Sequence, residues 1–159
     1  MAGIAHLGIG LAFAMLVPDV HVIILIFCAY LLDIVFIGFM FAGLENIPSQ
    51  DQPAVASWSH SLLMAGVWTI LAGLITAIFT QDLYTTVIIG TLVFSHWLVD
   101  FIVSPMTYVF PSDTGKPLHP FSGSPKVGLG VMRTKLGVML SEGVPLTLGI
   151  MIFISTLSI

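Results

Sequence analysis

The chain has 159 residues, of which 57% are hydrophobic and 8% charged, and its formal net charge is −4. Ordinary soluble domains carry roughly 25% charged residues, so this chain lacks the polar side chains needed to cover a water-exposed surface. Four Lys and Arg residues exclude a phosphate-reading surface, and with it a nucleic-acid partner. A mean hydropathy of +1.09 places the chain in a bilayer, with membrane lipids as its partners. The expected fold is all-α: a polytopic integral membrane helical bundle forming a single transmembrane domain over 1–159.

A spanning helix needs about 20 mostly apolar residues. In chain order the sequence offers five such segments. The first runs from about Ala2 to Val17, is short, and stops at Pro18-Asp19; the second runs from about Val22 to Gly43. The third runs from about Trp58 to Thr80, the fourth from about Leu83 to Ser104-Pro105, and the fifth from about Lys135 to Ile159. The start, Met1-Ala2-Gly3-Ile4-Ala5-His6, has no basic region and does not read as a cleaved signal peptide. Cys28 is the only cysteine; it allows no intrachain disulfide and reads as a small packed hydrophobe.

Short turns join the first two segments (Pro18 to His21) and the third to the fourth (Gln81-Asp82). The longer connections, Leu44 to Ser57 and Pro105 to Thr134, are rich in Pro, Ser, Asp and Gly, as turns are. With five alternating spans, both long loops and the N-terminus share one face, here face A; the short turns and the C-terminus share face B. Lys116, Lys126, Arg133 and Lys135 all fall on face A, and no Lys or Arg falls on face B. The positive-inside rule then makes face A cytoplasmic, N-terminus in and C-terminus out.

The residues that a membrane should exclude carry most information. His6, Asp33, His60, His96, Asp100 and Glu142 all fall within the expected spans. A carboxylate at the centre of a spanning helix costs about 2.5–3.5 kcal/mol on insertion scales, and such groups face the bundle interior and find partners there. Span order alone puts all six in the face A half. His96 and Asp100 are four residues apart, so they share one helix face. They could bind one metal together, or the carboxylate could orient the ring by accepting its other N–H. Three histidines and three carboxylates suit zinc, manganese or iron. A divalent ion would keep the carboxylates ionised, activate a water and leave a spare carboxylate, Glu142 or Asp100, as general base. Taken singly, each residue has a blander reading: a hydrogen-bonded interfacial histidine for His6 or His60, a helix–helix hydrogen bond or proton site for Asp33, a snorkelling acid for Glu142.

Several features carry less. His21 and Asp19 read as a solvated turn, His119 as a loop residue beside Pro117 and Pro120. Trp58, Trp68 and Trp97, with Tyr84 and Tyr108, partly fit interfacial belts. The stretch Gly123-Ser124-Pro125-Lys126-Val127-Gly128-Leu129-Gly130 is a Gly-rich loop on face A, whose amides and Lys126 could bind an anionic substrate group; Lys126 could equally touch lipid phosphates.

Ser59-His60-Ser61-Leu62-Leu63 and Ser95-His96-Trp97-Leu98-Val99-Asp100 resemble the His-Ser and Ser-His-x-x-x-Asp signatures of the YdjM-like family, described as membrane-bound, metal-dependent hydrolases. His6-x-Gly8 and Leu31-Leu32-Asp33 also look like its pattern. A subgroup with Ser-Pro-Lys-Val-Gly-Leu-Gly after the second motif, as at Ser124 to Gly130, also has a Glu in its last helix, matching Glu142. The chain departs from the pattern at Val35, where many members have a second Asp, and at Val55-Ala56-Ser57-Trp58, where many have Arg-Gly-x-Thr. The missing acid leaves one carboxylate fewer for a second metal. The resemblance implies hydrolysis, and through a remote link to zinc phospholipase C and P1 nuclease, of phosphoesters. The leading expectation is therefore a membrane hydrolase with one or two divalent ions, zinc foremost, acting on a lipid or other membrane-associated ester or phosphoester. A small transporter or proton-linked carrier using Asp33, Asp100 and Glu142, a haem protein and a non-catalytic assembly protein are the competing expectations.

Overall fold

The computed structural model describes residues 3–47, 57–103, 109–112 and 134–157. The described residues are helical wherever they are regular: α1 (Gly3–Phe13), α2 (Val22–Ala29), α3 (Leu31–Phe41), α4 (Leu62–Thr80), α5 (Leu83–Val103), α6 (Lys135–Val138), a π-helical turn (Met139–Gly143) and α7 (Val144–Thr156). Each of the five apolar segments is thus helical, but not each is a simple span. The stretches Leu62–Thr80, Leu83–Val103 and Lys135–Thr156 are long and apolar enough to cross a bilayer. The second segment is bent by 57° between Ala29 and Leu31, so that α2 and α3 together make at most a broken fourth span. The first falls short: 11 residues rise about 16 Å, against a hydrocarbon core of about 30 Å. The expected five spans are corrected to three, or four with the broken pair. The apolar helices, with Ile70, Leu74, Ile78 and Phe79 of α4 facing outwards, are consistent with an integral membrane protein.

Local chemistry explains several boundaries. Asp82 caps α5, accepting from the backbone amides of Tyr84 (3.2 Å) and Thr85 (2.9 Å). Its hydrogen bonds with Thr85, through side chain and amide, hold its carboxyl below the usual carboxylate range. His21 accepts from the Ile23 amide and caps α2, so it is more than a solvated turn residue. At the end of α3, Gly43 takes φ +72°, which a Cβ would resist. The Gly43 amide donates to the Met40 carbonyl and the Leu44 amide to that of Phe39. This paired closure turns the chain back across the helix end. The π turn lies where Pro145 removes an amide donor from the last segment, a defect that a wider turn accommodates.

α5 is the central helix. It packs against α4, α2, α1 and α3 and buries Ile89, Leu92, Val93, His96, Trp97, Asp100 and Val103. Cys28 is buried in the same core, as its apolar setting suggests. Small residues let the backbones close up, as in other membrane bundles. A Cβ on Gly10 would meet Ala29 at 3.2 Å. A Cβ on Gly149 would collide with the Gly8 carbonyl, and one on Gly8 with the Pro145 carbonyl. α1 therefore lies between α2 and α7, held at glycine contacts.

Candidate functional site

Five of the six ionisable residues expected inside the spans come together, each on a different support or a different turn. His6 lies in the second turn of α1. Asp33 is in the first turn of α3, just past the break in the second segment. His60 precedes α4, next to Ser61, which caps that helix; the helix begins later than the sequence suggested. His96 and Asp100 are one turn apart on α5. His6, His96 and Asp100 are buried, whereas the side chains of His60 and Asp33 keep 13% and 19% of their exposure. The cluster therefore opens on the Asp33–His60 side.

Hydrogen bonds set the direction of two of the rings. His96 Nδ1 lies 2.7 Å from the Ala29 carbonyl. A carbonyl only accepts, so Nδ1 carries the hydrogen and Nε2 presents a lone pair. Ser59 Oγ lies 2.7 Å from Glu45 Oε2 and 2.7 Å from His60 Nδ1. An ionised carboxylate only accepts. The serine's single hydrogen therefore goes to Glu45, and His60 Nδ1 donates to Ser59, again leaving a lone pair on Nε2. Both Nε2 atoms point at acids. His60 Nε2 is 3.4 Å from Asp33 Oδ1 and 3.7 Å from Asp100 Oδ2. His96 Nε2 is 3.7 Å from Asp33 Oδ1 and 3.8 Å from Asp100 Oδ2. His6 stacks flat on His96, with centroids 3.7 Å apart and planes 8° apart, and its Nε2 is 3.4 Å from the other oxygen, Asp100 Oδ1. The Nε2 atoms of all three histidines and Asp33 Oδ1 are buried without a hydrogen-bond partner.

Lone pairs facing carboxylate oxygens in a dry site repel unless something positive lies between them. The spacing suits a metal ion. Zinc bonds of about 2.0–2.1 Å set tetrahedral ligand atoms about 3.3–3.4 Å apart; the four nitrogen–oxygen separations above start at that value and run to 3.8 Å. Charge fits as well: two carboxylates and two neutral imidazoles around a divalent ion sum to zero, which suits a low-dielectric interior. Among the described residues two overlapping groups of possible ligands result, Asp33 with His60 and His96, and His6 with His96 and Asp100, each with its ligand atoms within 4.8 Å of one another.

Glu142 does not join them. Its Oε1 accepts from the Gly3 amide (2.8 Å) and its Oε2 from the amides of Ile4 (2.8 Å) and Ala5 (2.9 Å). A carboxylate at a helix N-terminus satisfies amides that have no partner within the helix. Here it fixes α1 and, with it, His6. Lys126, the other candidate substrate contact, and His119 lie outside the described residues.

Sequence reasoning passed over several residues that shape the site. Glu45, buried at 4% exposure, lies in a stretch that reads as an ordinary loop. Trp97 is buried rather than interfacial and donates from Nε1 to the His60 carbonyl at 2.9 Å. Tyr30, at the break, donates its hydroxyl to the Gly3 carbonyl at 2.6 Å and meets the His6 ring edge-on. The one available signal was Ser59, whose position beside His60 in a repeated Ser-His pair marks a hydroxyl able to reach the ring. No protein-family model, curated protein or solved structure matches this chain.

Proposed function

We propose that this chain is an integral membrane hydrolase that holds a divalent metal, zinc foremost, between His60, His96, Asp33 and Asp100 and acts on a lipid or other membrane-associated ester or phosphoester. The observation that carries the reading is that two unsatisfied imidazole Nε2 atoms, of His60 and His96, each lie 3.4 to 3.8 Å from oxygens of both Asp33 and Asp100. Catalytic zinc sites commonly keep three protein ligands and one water. A bound metal would supply Lewis acidity and a water acidified towards neutral pH. Of these four residues Asp33 is the most open to solvent, so it would be the one to yield a ligand position to water and accept a proton from it. Asp100 would stay in place, with His6 Nε2 3.4 Å from its second oxygen on a helix whose first amides Glu142 caps. This assigns the base to Asp33 rather than to Glu142.

The orientation belongs to the same proposal. α1 packs on α2 as an antiparallel hairpin, with Gly10 against Ala29 and Tyr30 beside Gly3. The N-terminus and the stretch after α3 therefore share a face whether or not the hairpin crosses fully. Three further spans then carry the C-terminus to the opposite face, which favours N-terminus in and C-terminus out, with the site in the inner half of the bacterial inner membrane. The resemblance to the YdjM-like family supports the reaction class.

Metal analysis of protein purified without chelator tests the reading. We expect about one equivalent of metal in the native chain, loss to background in His96→Ala and Asp100→Asn, and hydrolysis of ester or phosphoester lipids by the native chain alone. Folded protein that neither retains nor binds zinc, manganese or iron would overturn it and favour a proton-linked carrier built on the same histidines and aspartates.

A further inference from the structure

We infer that Glu45 is a positioning residue that acts through Ser59 to lock His60 with its hydrogen on Nδ1, so that Nε2 always faces Asp33 and Asp100 as an acceptor. Glu45 belongs to no ligand group and lies 14 residues from Ser59 in the sequence, yet it grips that serine twice. Glu45 Oε1 accepts from the Ser59 amide at 2.6 Å, and Oε2 accepts from the Ser59 hydroxyl at 2.7 Å. The two grips have different consequences. The amide bond fixes where the backbone before α4 lies; the hydroxyl bond fixes which way the serine hydrogen points. With that hydrogen committed to Glu45, Ser59 Oγ offers only lone pairs to His60 Nδ1, 2.7 Å away. The relay is protected from water: Glu45 and Ser59 are 4% and 1% exposed.

The fold delivers Glu45 by a specific device. Gly43, with its positive φ, closes α3 and reverses the chain, and the Glu45 amide itself returns to the Phe39 carbonyl at 3.3 Å. His60 is held from other sides too, by Trp97 at its carbonyl and by the edge of Phe36 on its ring. Neither contact distinguishes Nδ1–H from Nε2–H. In the metal-free ring Asp33 and Asp100, 3.4 and 3.7 Å from Nε2, favour a hydrogen there; the Glu45–Ser59 relay is what opposes them and holds it on Nδ1.

The distinction is chemical rather than steric, which makes it separable by substitution. In Glu45→Gln, the amide oxygen keeps the Ser59 backbone bond and the NH₂ group replaces Oε2. That group donates to Ser59 Oγ, so the serine hydrogen turns to His60 Nδ1, and the ring hydrogen moves to Nε2, where it blocks the ligand position. Partners that orient a metal-binding histidine from behind typically change metal affinity by about 10–100-fold when altered.

The zinc part of the test rests on the metal-centre reading; the tautomer part does not. Histidine ¹⁵N shifts of the full chain in detergent micelles, recorded metal-free at a pH where the His60 ring is neutral, report the hydrogen's position directly. Titration with zinc alone reports affinity. We expect Nδ1–H in the native protein, Nε2–H in Glu45→Gln, and a mixture in Ser59→Ala. Zinc binding should weaken about 10–100-fold in either variant, with no further loss in the double variant, and Ser59→Thr should restore both readouts. A Glu45→Gln protein that keeps Nδ1–H on His60, or losses from the two substitutions that simply add, would overturn the inference. A tautomer that moves as expected in a native chain that binds no zinc would sustain the inference and refute the metal centre. Should Glu45→Gln fail to fold, Ser59→Ala and its rescue by Thr decide the matter.

Discussion

The two ends of the α4–α5 pair handle polar side chains in opposite ways. Towards face B, the hydroxyls of Thr76, Thr80, Thr86 and Thr91 each donate to the backbone carbonyl four residues earlier. Each is satisfied within its own helix or its cap, and the neighbouring Gly73 and Gly90 pack beside Thr86 and Thr69 of the facing helix. Thr69 Oγ1 is an exception, buried without a hydrogen-bond partner. Towards face A, His96 and Asp100 of α5 find partners on the residues before α4, on α1, on α3 and at the Ala29 carbonyl. The same helix is thus self-sufficient at one end and dependent on its neighbours at the other. A polar residue in an apolar helix points to a site when its own backbone cannot satisfy it, not merely when it is polar.

This contrast can be broken at the dependent end. The largest effect is expected from Gly149→Ala. The added Cβ collides with the Gly8 backbone, which cannot move without carrying α1 and His6 along. Overpacking of this kind costs about 1–3 kcal/mol and at times more. Thermal unfolding in detergent should show a clearly lowered midpoint, and zinc retention should fall together with it. A variant as stable as the native chain would mean that the α1–α7 contact is looser than the backbone geometry requires.

A smaller effect sharpens the division of labour among the acids. Glu142→Gln leaves one acceptor oxygen for the three amides that now share two, and losing a helix cap of this kind costs about 0.5–2 kcal/mol. Stability should fall within that range while bound zinc stays near the native level. Loss of zinc from a folded Glu142→Gln protein would return this residue to the ligand set.

The smallest effect belongs to the self-sufficient end. Thr91 is exposed, and its hydroxyl bonds only to the Val87 carbonyl of its own helix. Thr91→Val should shift stability by no more than about 0.5 kcal/mol and leave metal binding unchanged, measured by the same unfolding and titration experiments. A loss comparable with that of Gly149→Ala would erase the distinction between the two ends.

Hydropathy alone determined the helical class, the five apolar segments and the short Gln81-Asp82 turn, because a bilayer excludes charge wherever it occurs. The i, i+4 spacing of His96 and Asp100 determined their shared face, because the helical repeat is fixed by the backbone. Tertiary structure decided the rest. It decided that the first segment is too short to cross and that the second breaks beside Tyr30, since neither outcome changes the apolar character of the run. It decided that Glu142 caps α1 instead of joining the histidines, because a carboxylate goes to whichever donors lie nearest, and the Gly3 to Ala5 amides are brought there by a chain segment 137 or more residues away. It also decided that Glu45, in what reads as a plain loop, faces Ser59. Hydrogen-bond direction depends on which groups meet in space, and residue spacing along the chain carries no record of such meetings between distant segments.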